Sequence, residues 1–231
     1  MKTLILACNT IRDELEKTAS ETGCTYPFRW VESGLHLRPE SLRQRLQSEL
    51  DSITGVDRVI LGFGFCGNAL VGLKSKDYEL IIPRADDCIT LLLGSRKNRE
   101  CFSGTGAMYF LTRGWLQDEF NIWKEYQSVL ARFGAEKTQR IYKRMLGHYR
   151  FLALIDTGAY ELEALLPLVR EIASTLKLEI RVLPGSDGYL KKLLSAEWNE
   201  DEFITVPPHT QIELFHLNPD LFAETCQVQS A

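Results

Sequence analysis

Six cysteines, at positions 8, 24, 66, 88, 101 and 226, offer most of the chemistry in this chain. Three follow apolar runs of strand length: Cys8 after residues 3–7, Cys66 after 59–63 and Cys88 after 79–83. In open α/β sheets, ligands sit outside the carboxyl ends of the strands, where loops converge and helix N-termini aim their amides inward. The gaps of 58 and 22 residues between these cysteines close if the first, third and fourth strands are neighbours, as sequential parallel strands often are. Three thiols with one open position suit a zinc whose fourth ligand is water or substrate, or a 4Fe-4S iron-sulfur cluster with one exchangeable iron. Cys8, Cys66 and Cys88 are therefore the expected metal ligands. Packing is the competing reading, because free cysteine is among the most buried residue types and all three adjoin apolar sequence.

The neighbouring residues extend the site. Gly62, Gly64 and Gly67 around Cys66 let the backbone approach closely and present N–H groups to sulfur. Gly64, Gly67 and Asn68 are accordingly the expected cofactor-contacting positions. Cys88 falls in the first turn of an expected helix, where the dipole would lower a thiol pKa. Before it, Pro83-Arg-Ala-Asp-Asp-Cys88 gathers one guanidinium and two carboxylates. One of Asp86 and Asp87 is explained by capping that helix; the other, with Arg84, is placed to orient a substrate or accept a proton beside the thiols. Cys24, Cys101 and Cys226 have no comparable placement.

Other chemistries find less support. Gly62-Phe-Gly-Phe-Cys-Gly67 has the dinucleotide-binding glycine spacing, yet it follows the third strand, its acidic partner would fall at Asp86 or Asp87, and a thiol would crowd a pyrophosphate. His36, His148, His209 and His216 show no metal-pair spacing and read as surface or satisfied histidines. Asp156, at the end of residues 151–155, reads first as a helix cap, with a strand-end carboxylate facing the shared cleft as the alternative. Neither a Gly-x-Ser-x-Gly elbow nor a P-loop is present.

Strand-like runs must position these groups. They are expected at 3–7, 28–35, 57–66, 79–83, 108–114, 151–155, 179–183 and 203–206, with helical patterns at 10–21, 39–55, 85–93, 115–133, 136–149, 160–176 and 186–194. Residues 211–217 read as a further strand, followed by a short C-terminal helix. The alternation predicts a three-layer, Rossmann-like α/β protein with a mostly parallel central sheet. Its expected division is an N-terminal half at 1–114, a helical connection at 115–150 and a similar C-terminal half at 151–231.

With 27 Lys and Arg against 31 Asp and Glu, the chain lacks the positive surplus that holds a phosphate backbone, so nucleic acid is not an expected partner. No apolar stretch approaches the roughly 20 residues that span a bilayer, and the apolar start is too short for a signal-peptide core. A cytoplasmic setting follows, in which a disulfide framework is not expected.

Leu6-Ala-Cys8, Gly62-Phe-Gly-Phe-Cys-Gly-Asn68, Ile82-Pro-Arg-Ala-Asp-Asp-Cys-Ile-Thr-Leu-Leu-Leu-Gly-Ser95, Tyr109-Phe-Leu-Thr-Arg-Gly-Trp115 and Ile155-Asp-Thr-Gly158, in this order, resemble the family called domain of unknown function 1638. The block around Cys88 is the most specific part, and the last thirty residues add little. Around Tyr109 the chain departs from the family pattern, with Gly104-Thr-Gly106 and Thr112-Arg-Gly-Trp115 in place of a Pro-Gly and a Thr-Pro-Gly-Trp. Family members occur in anaerobic bacteria and methanogens, often encoded beside corrinoid-dependent methyltransferases for methylated amines. The resemblance thus implies a place in one-carbon metabolism and a methyltransferase partner. Two function classes stay open: an enzyme acting on a small sulfur- or methyl-bearing substrate, and a carrier delivering a metal, cluster or corrinoid.

Overall fold

The computed structural model describes residues 1–104 and 106–217. Its strands are β1 (Thr3–Cys8), β2 (Phe28–Val31), β3 (Arg58–Gly62), β4 (Glu79–Pro83), β5 (Met108–Leu111), β6 (Phe151–Asp156), β7 (Glu179–Pro184) and β8 (Phe203–Val206). The α-helices are α1 (Arg12–Thr22), α2 (Pro39–Ser52), α3 (Cys88–Leu92), α4 (Arg96–Ser103), α5 (Arg113–Gln117), α6 (Ile122–Phe133), α7 (Ala135–Leu146), α8 (Leu162–Leu176), α9 (Gly188–Leu194) and α10 (Leu214–Leu217).

The expected α/β class holds, but the strands divide between two sheets. The first has the order β2-β1-β3-β4-β8, parallel except for β8; the second is parallel, with the order β5-β6-β7. Continuous apolar runs suit strands covered on both faces, and Ile5 to Cys8 of β1 are wholly buried. Helix α2 starts with Pro39 in its first turn, where a missing N–H costs little. It buries Leu42, Leu46 and Leu50, one apolar row at four-residue spacing.

The sheets do not follow the expected division at 114/115 and 150/151. Strand β5 pairs with β6, whereas β8 returns to the open edge of β4, with Leu80 opposite Val206 and Pro83 opposite Phe203. Residues 108–184 therefore interrupt a first layer whose strands come from both sides of them, and α9 packs back against α1 and α3.

Local differences have local causes. The third strand stops at Gly62, and the helix expected from residue 85 begins only at Cys88, where Asp87 accepts a hydrogen bond from the Thr90 amide. The pattern at 115–133 is broken because Asn121 caps α6, accepting from the amides of Trp123 and Lys124. Helix α4 had no apolar periodicity to announce it; Ser95 caps it by accepting from the Asn98 amide. In place of a strand at 211–217 there is a single bridge between Lys74 and Gln211, then α10. The C-terminal helix expected after it, and Cys226, lie outside the described residues.

Candidate functional site

The strand order locates a site before any side chain is considered. The chain leaves β1 for β2 on one side and returns from β2, past β1, to β3 on the other. With right-handed crossovers, α1 and α2 then lie on opposite faces, and a crevice opens between the carboxyl ends of β1 and β3. Cys8 ends β1, Cys66 lies four residues past β3, and Cys88 begins the helix after β4.

The three thiols share one electrostatic neighbourhood. A charge on Cys8 would raise the pKa of both Cys66 and Cys88, and one on Cys66 would raise that of Cys88. Cys8 is 0% and Cys88 2% exposed, while Cys66 is half-buried. Burial pushes the Cys8 thiol up to about 11, although a 2.7 Å hydrogen bond with the Thr10 hydroxyl acts against this. Burial also drives Cys66 and Cys88 well above the ordinary thiol range. The low pKa expected for Cys88 from the helix dipole is therefore not found; α3 has only five residues, and complete desolvation outweighs its dipole. All five described cysteines are free thiols. No group of three or more His, Cys, Asp or Glu among the described residues is arranged to hold a metal ion.

The backbone around Cys66 is unusual. Cys66, Gly67 and Asn68 all have positive φ, at 47°, 66° and 67°, a conformation that costs energy at the two non-glycine positions. The turn is anchored beside the Cys88 segment: the Phe65 amide donates to the Ala85 carbonyl at 2.7 Å and the Cys66 amide to the Asp86 carbonyl at 2.9 Å. Gly64 allows this approach, since a Cβ there would lie 2.4 Å from the Asp87 Cα. That space is filled by main chain and forms no phosphate cradle. Gly64→Ala should force the two segments apart and destabilise the fold by about 3 kcal/mol, read as a lower denaturant midpoint with unchanged slope; an unaltered midpoint would contradict this packing.

The expected polar residues separate. Asp87 stays with the thiols, raising the pKa of Cys66 and Cys88, while its Oδ1 caps α3 and its Oδ2 pairs with Arg99 at 2.7 Å. Asp86 faces outward in a two-point pair with Arg96 at 2.6 and 3.1 Å. Arg84 donates to the carbonyls of Glu200, at 2.8 Å, and His216, at 3.3 Å. It thus ties the end of β4 to the later chain. Gly67 and Asn68 are exposed on the turn. Asp156 does not cap α8; its Oδ1 accepts from the Gly158 amide in a tight turn. His209 pairs with Asp77 at 3.3 Å and His148 lies against Tyr149, both at the surface.

Two features had no signal in the sequence. A cavity of about 630 Å³ opens beside the end of β1, with Asn9, next to Cys8, among its lining residues. Asp118, also in that lining, raises the Cys8 pKa. The second feature is Glu14 of α1, which is only 4% exposed. Its Oε1 accepts from the Thr157 hydroxyl at 3.0 Å, its buried Oε2 has no hydrogen-bond partner, and desolvation raises its pKa to about 7. A charge on Glu14 also raises the Cys88 pKa, so the carboxyl lies within reach of the thiol cluster. Its polar helical context resembles any solvated glutamate; the loops after β6 and β7 bury it.

Among the described residues no helix is long and apolar enough to cross a membrane. No curated protein and no solved structure matches the chain significantly. A family model described as "Protein of unknown function (DUF1638)" matches residues 30–194, a span that holds Cys66 and Cys88 but not Cys8. The match covers well over half of the chain, which belongs to this family.

Proposed function

We propose that Cys8, Cys66 and Cys88 bind a soft metal, as zinc or a 4Fe-4S cluster, and that the protein acts on a small sulfur- or methyl-bearing molecule in the adjoining cavity. The observation that supports this reading is that the three thiols follow the neighbouring parallel strands β1, β3 and β4, beside the switch point of the sheet, and feel one another's charge. The donor set fits: thiolate sulfur is the preferred ligand of zinc and of iron-sulfur clusters. The side chains as placed do not form a coordination shell, so loading requires them to rotate until each sulfur reaches about 2.3 Å from a zinc. Burial holds the thiols protonated, so uptake releases protons and strengthens as pH rises. When bound, the metal would supply Lewis-acid activation of a substrate atom; Asp87 is the polar residue in place to orient it. A reducing cytoplasm, the setting we propose, would keep such thiols available.

A second reading is a carrier without turnover, which delivers a metal, cluster or corrinoid to a methyltransferase partner. It is favoured by the left-handed turn at Cys66–Asn68, in which Gly67 and Asn68 are exposed and bring a partner-accessible surface next to the half-buried Cys66. Anaerobic purification, metal analysis and a visible spectrum test the site. Brown protein indicates a cluster and colourless protein with stoichiometric zinc indicates the other metal; neither metal retained after anaerobic loading overturns the proposal. Turnover assays and pull-down of a corrinoid-dependent methyltransferase then distinguish enzyme from carrier.

A further inference from the structure

We infer that the cavity beside β1 binds a small zwitterion of the α-amino-acid type, with its carboxylate at Arg38 and its ammonium at Asp118 and Glu119. The inference deepens the reading above by naming a ligand class for its pocket, and it does not require the metal to be present. Two separate stretches of chain form the walls. One, following β2, contributes Ser33, Arg38 and Ser41; the other, between α5 and α6, contributes Asp118 and Glu119. They meet where the Phe120 ring lies against Gly34, so close that a Cβ at position 34 would fall 2.3 Å from a ring carbon. Phe120 nevertheless stays 66% exposed, an apolar surface left beside the cavity.

The charges are what select the ligand. Glu32, on the first wall, is already paired with Arg45 at 3.0 Å. Arg38, Asp118 and Glu119 have no ion-pair partner among the described residues. Asp118 only orders its own loop, its Oδ1 accepting from the Phe120 amide at 2.9 Å. One wall thus offers an unpaired cation, reinforced by the N-terminal amides of the 14-residue helix α2 that begins just after Arg38. The facing wall offers two unpaired anions. A ligand of one sign would satisfy one wall and leave the other opposed to it, whereas a zwitterion meets both. At about 630 Å³ the cavity lies in the size range of small-molecule sites.

The test is calorimetric titration of metal-free full-length protein with L-leucine, N-acetyl-L-leucine and L-leucinamide, which carry both charges, the negative charge alone and the positive charge alone. L-leucine should bind, and each singly charged analogue should bind at least about tenfold more weakly, a difference of about 1.4 kcal/mol. Arg38→Met should remove the advantage of L-leucine over L-leucinamide. Asp118→Asn with Glu119→Gln should remove its advantage over N-acetyl-L-leucine. All three replaced side chains line the cavity, and the changes keep side-chain size, so folded protein is expected and is checked by circular dichroism. Equal binding of the three probes, binding insensitive to the variants, or no heat from L-leucine each overturns the inference. Because no metal is present, such a failure is separate from a failure of the thiol site, which is read by metal retention.

Discussion

Replacing Cys8, Cys66 or Cys88 by serine is expected to abolish retention of zinc or cluster, while Cys24→Ser, Cys101→Ser and Cys226→Ser retain it fully. A three-thiolate site has no spare ligand, and a hydroxyl is a poor donor to soft metals. Cys24 is half-buried and Cys101 exposed, and neither has a charge interaction with the three thiols. The packing account predicts another pattern. Each serine at a buried strand end would cost about 1 to 3 kcal/mol through a poorly paired hydroxyl, with no metal lost because none was held. At position 8 this cost should be the smallest, because the Thr10 hydroxyl already lies 2.7 Å from the sulfur and can pair with an oxygen. Metal content per folded protein, measured on all six variants at matched yield, separates the accounts. Equal metal in every variant, or none in the wild type after anaerobic loading, refutes the ligand assignment.

Stability of the metal-free protein should fall as pH rises through neutrality, and Glu14→Gln should remove that fall. The folded state raises Glu14 from 4.5 to about 7, chiefly by burial. It therefore binds a proton that the unfolded chain has released between those values. Stability from this group is complete below the unfolded pKa and is lost as pH rises through the folded one. The rise from 4.5 to about 7 corresponds to about 3 kcal/mol. The surrounding groups offset the effect only in part: a backbone hydrogen bond, the Thr157 hydroxyl and the Arg113 charge lower the Glu14 pKa, but burial outweighs them. Arg113 is engaged with Asp13, at 2.7 Å through its Nε, and Lys17 with Glu21, at 2.9 Å, and Asp187, at 3.8 Å. Asp13 itself raises the Glu14 pKa. Glu21, Glu49, Asp187 and Glu202 are shifted downward by their cationic partners and act in the opposite sense, at lower pH. Urea unfolding at about pH 5 and about pH 8, compared between wild type and Glu14→Gln, isolates the carboxyl as the difference in pH slope. An identical slope in both proteins would exclude this role. Physically, a charged Glu14 would be trapped where α1 meets the Thr157 loop, next to a cavity of about 10 Å³, roughly the room for one water. Its ionisation should thus weaken the contact between α1 and the Thr157 loop.

Local order was largely legible in the sequence. Strands β4 and β8 occupy the expected residues, and α2 begins at the expected Pro39. Periodicity of apolar residues, caps and breakers are properties of near neighbours, so a linear reading captures them. The positions of Cys8, Cys66 and Cys88 along the strand order were legible for the same reason: Cys8 ends β1, and Cys66 and Cys88 follow the ends of the neighbouring parallel strands β3 and β4. What the tertiary structure alone decided depends on contacts between distant residues. Arg84 and Asp86 looked equivalent to Asp87, yet Arg84 is drawn off by carbonyls 116 and 132 positions away and Asp86 by Arg96. Glu14 owes its burial in part to Thr157, 143 positions away. The cavity exists because two loops close on each other through Gly34 and Phe120. Nothing local in residues 203–206 names their sheet; the backbone along the edge of β4 is what pairs with them. Pairing partners, desolvation and enclosed space are set by which surfaces meet, and no period within the chain encodes them.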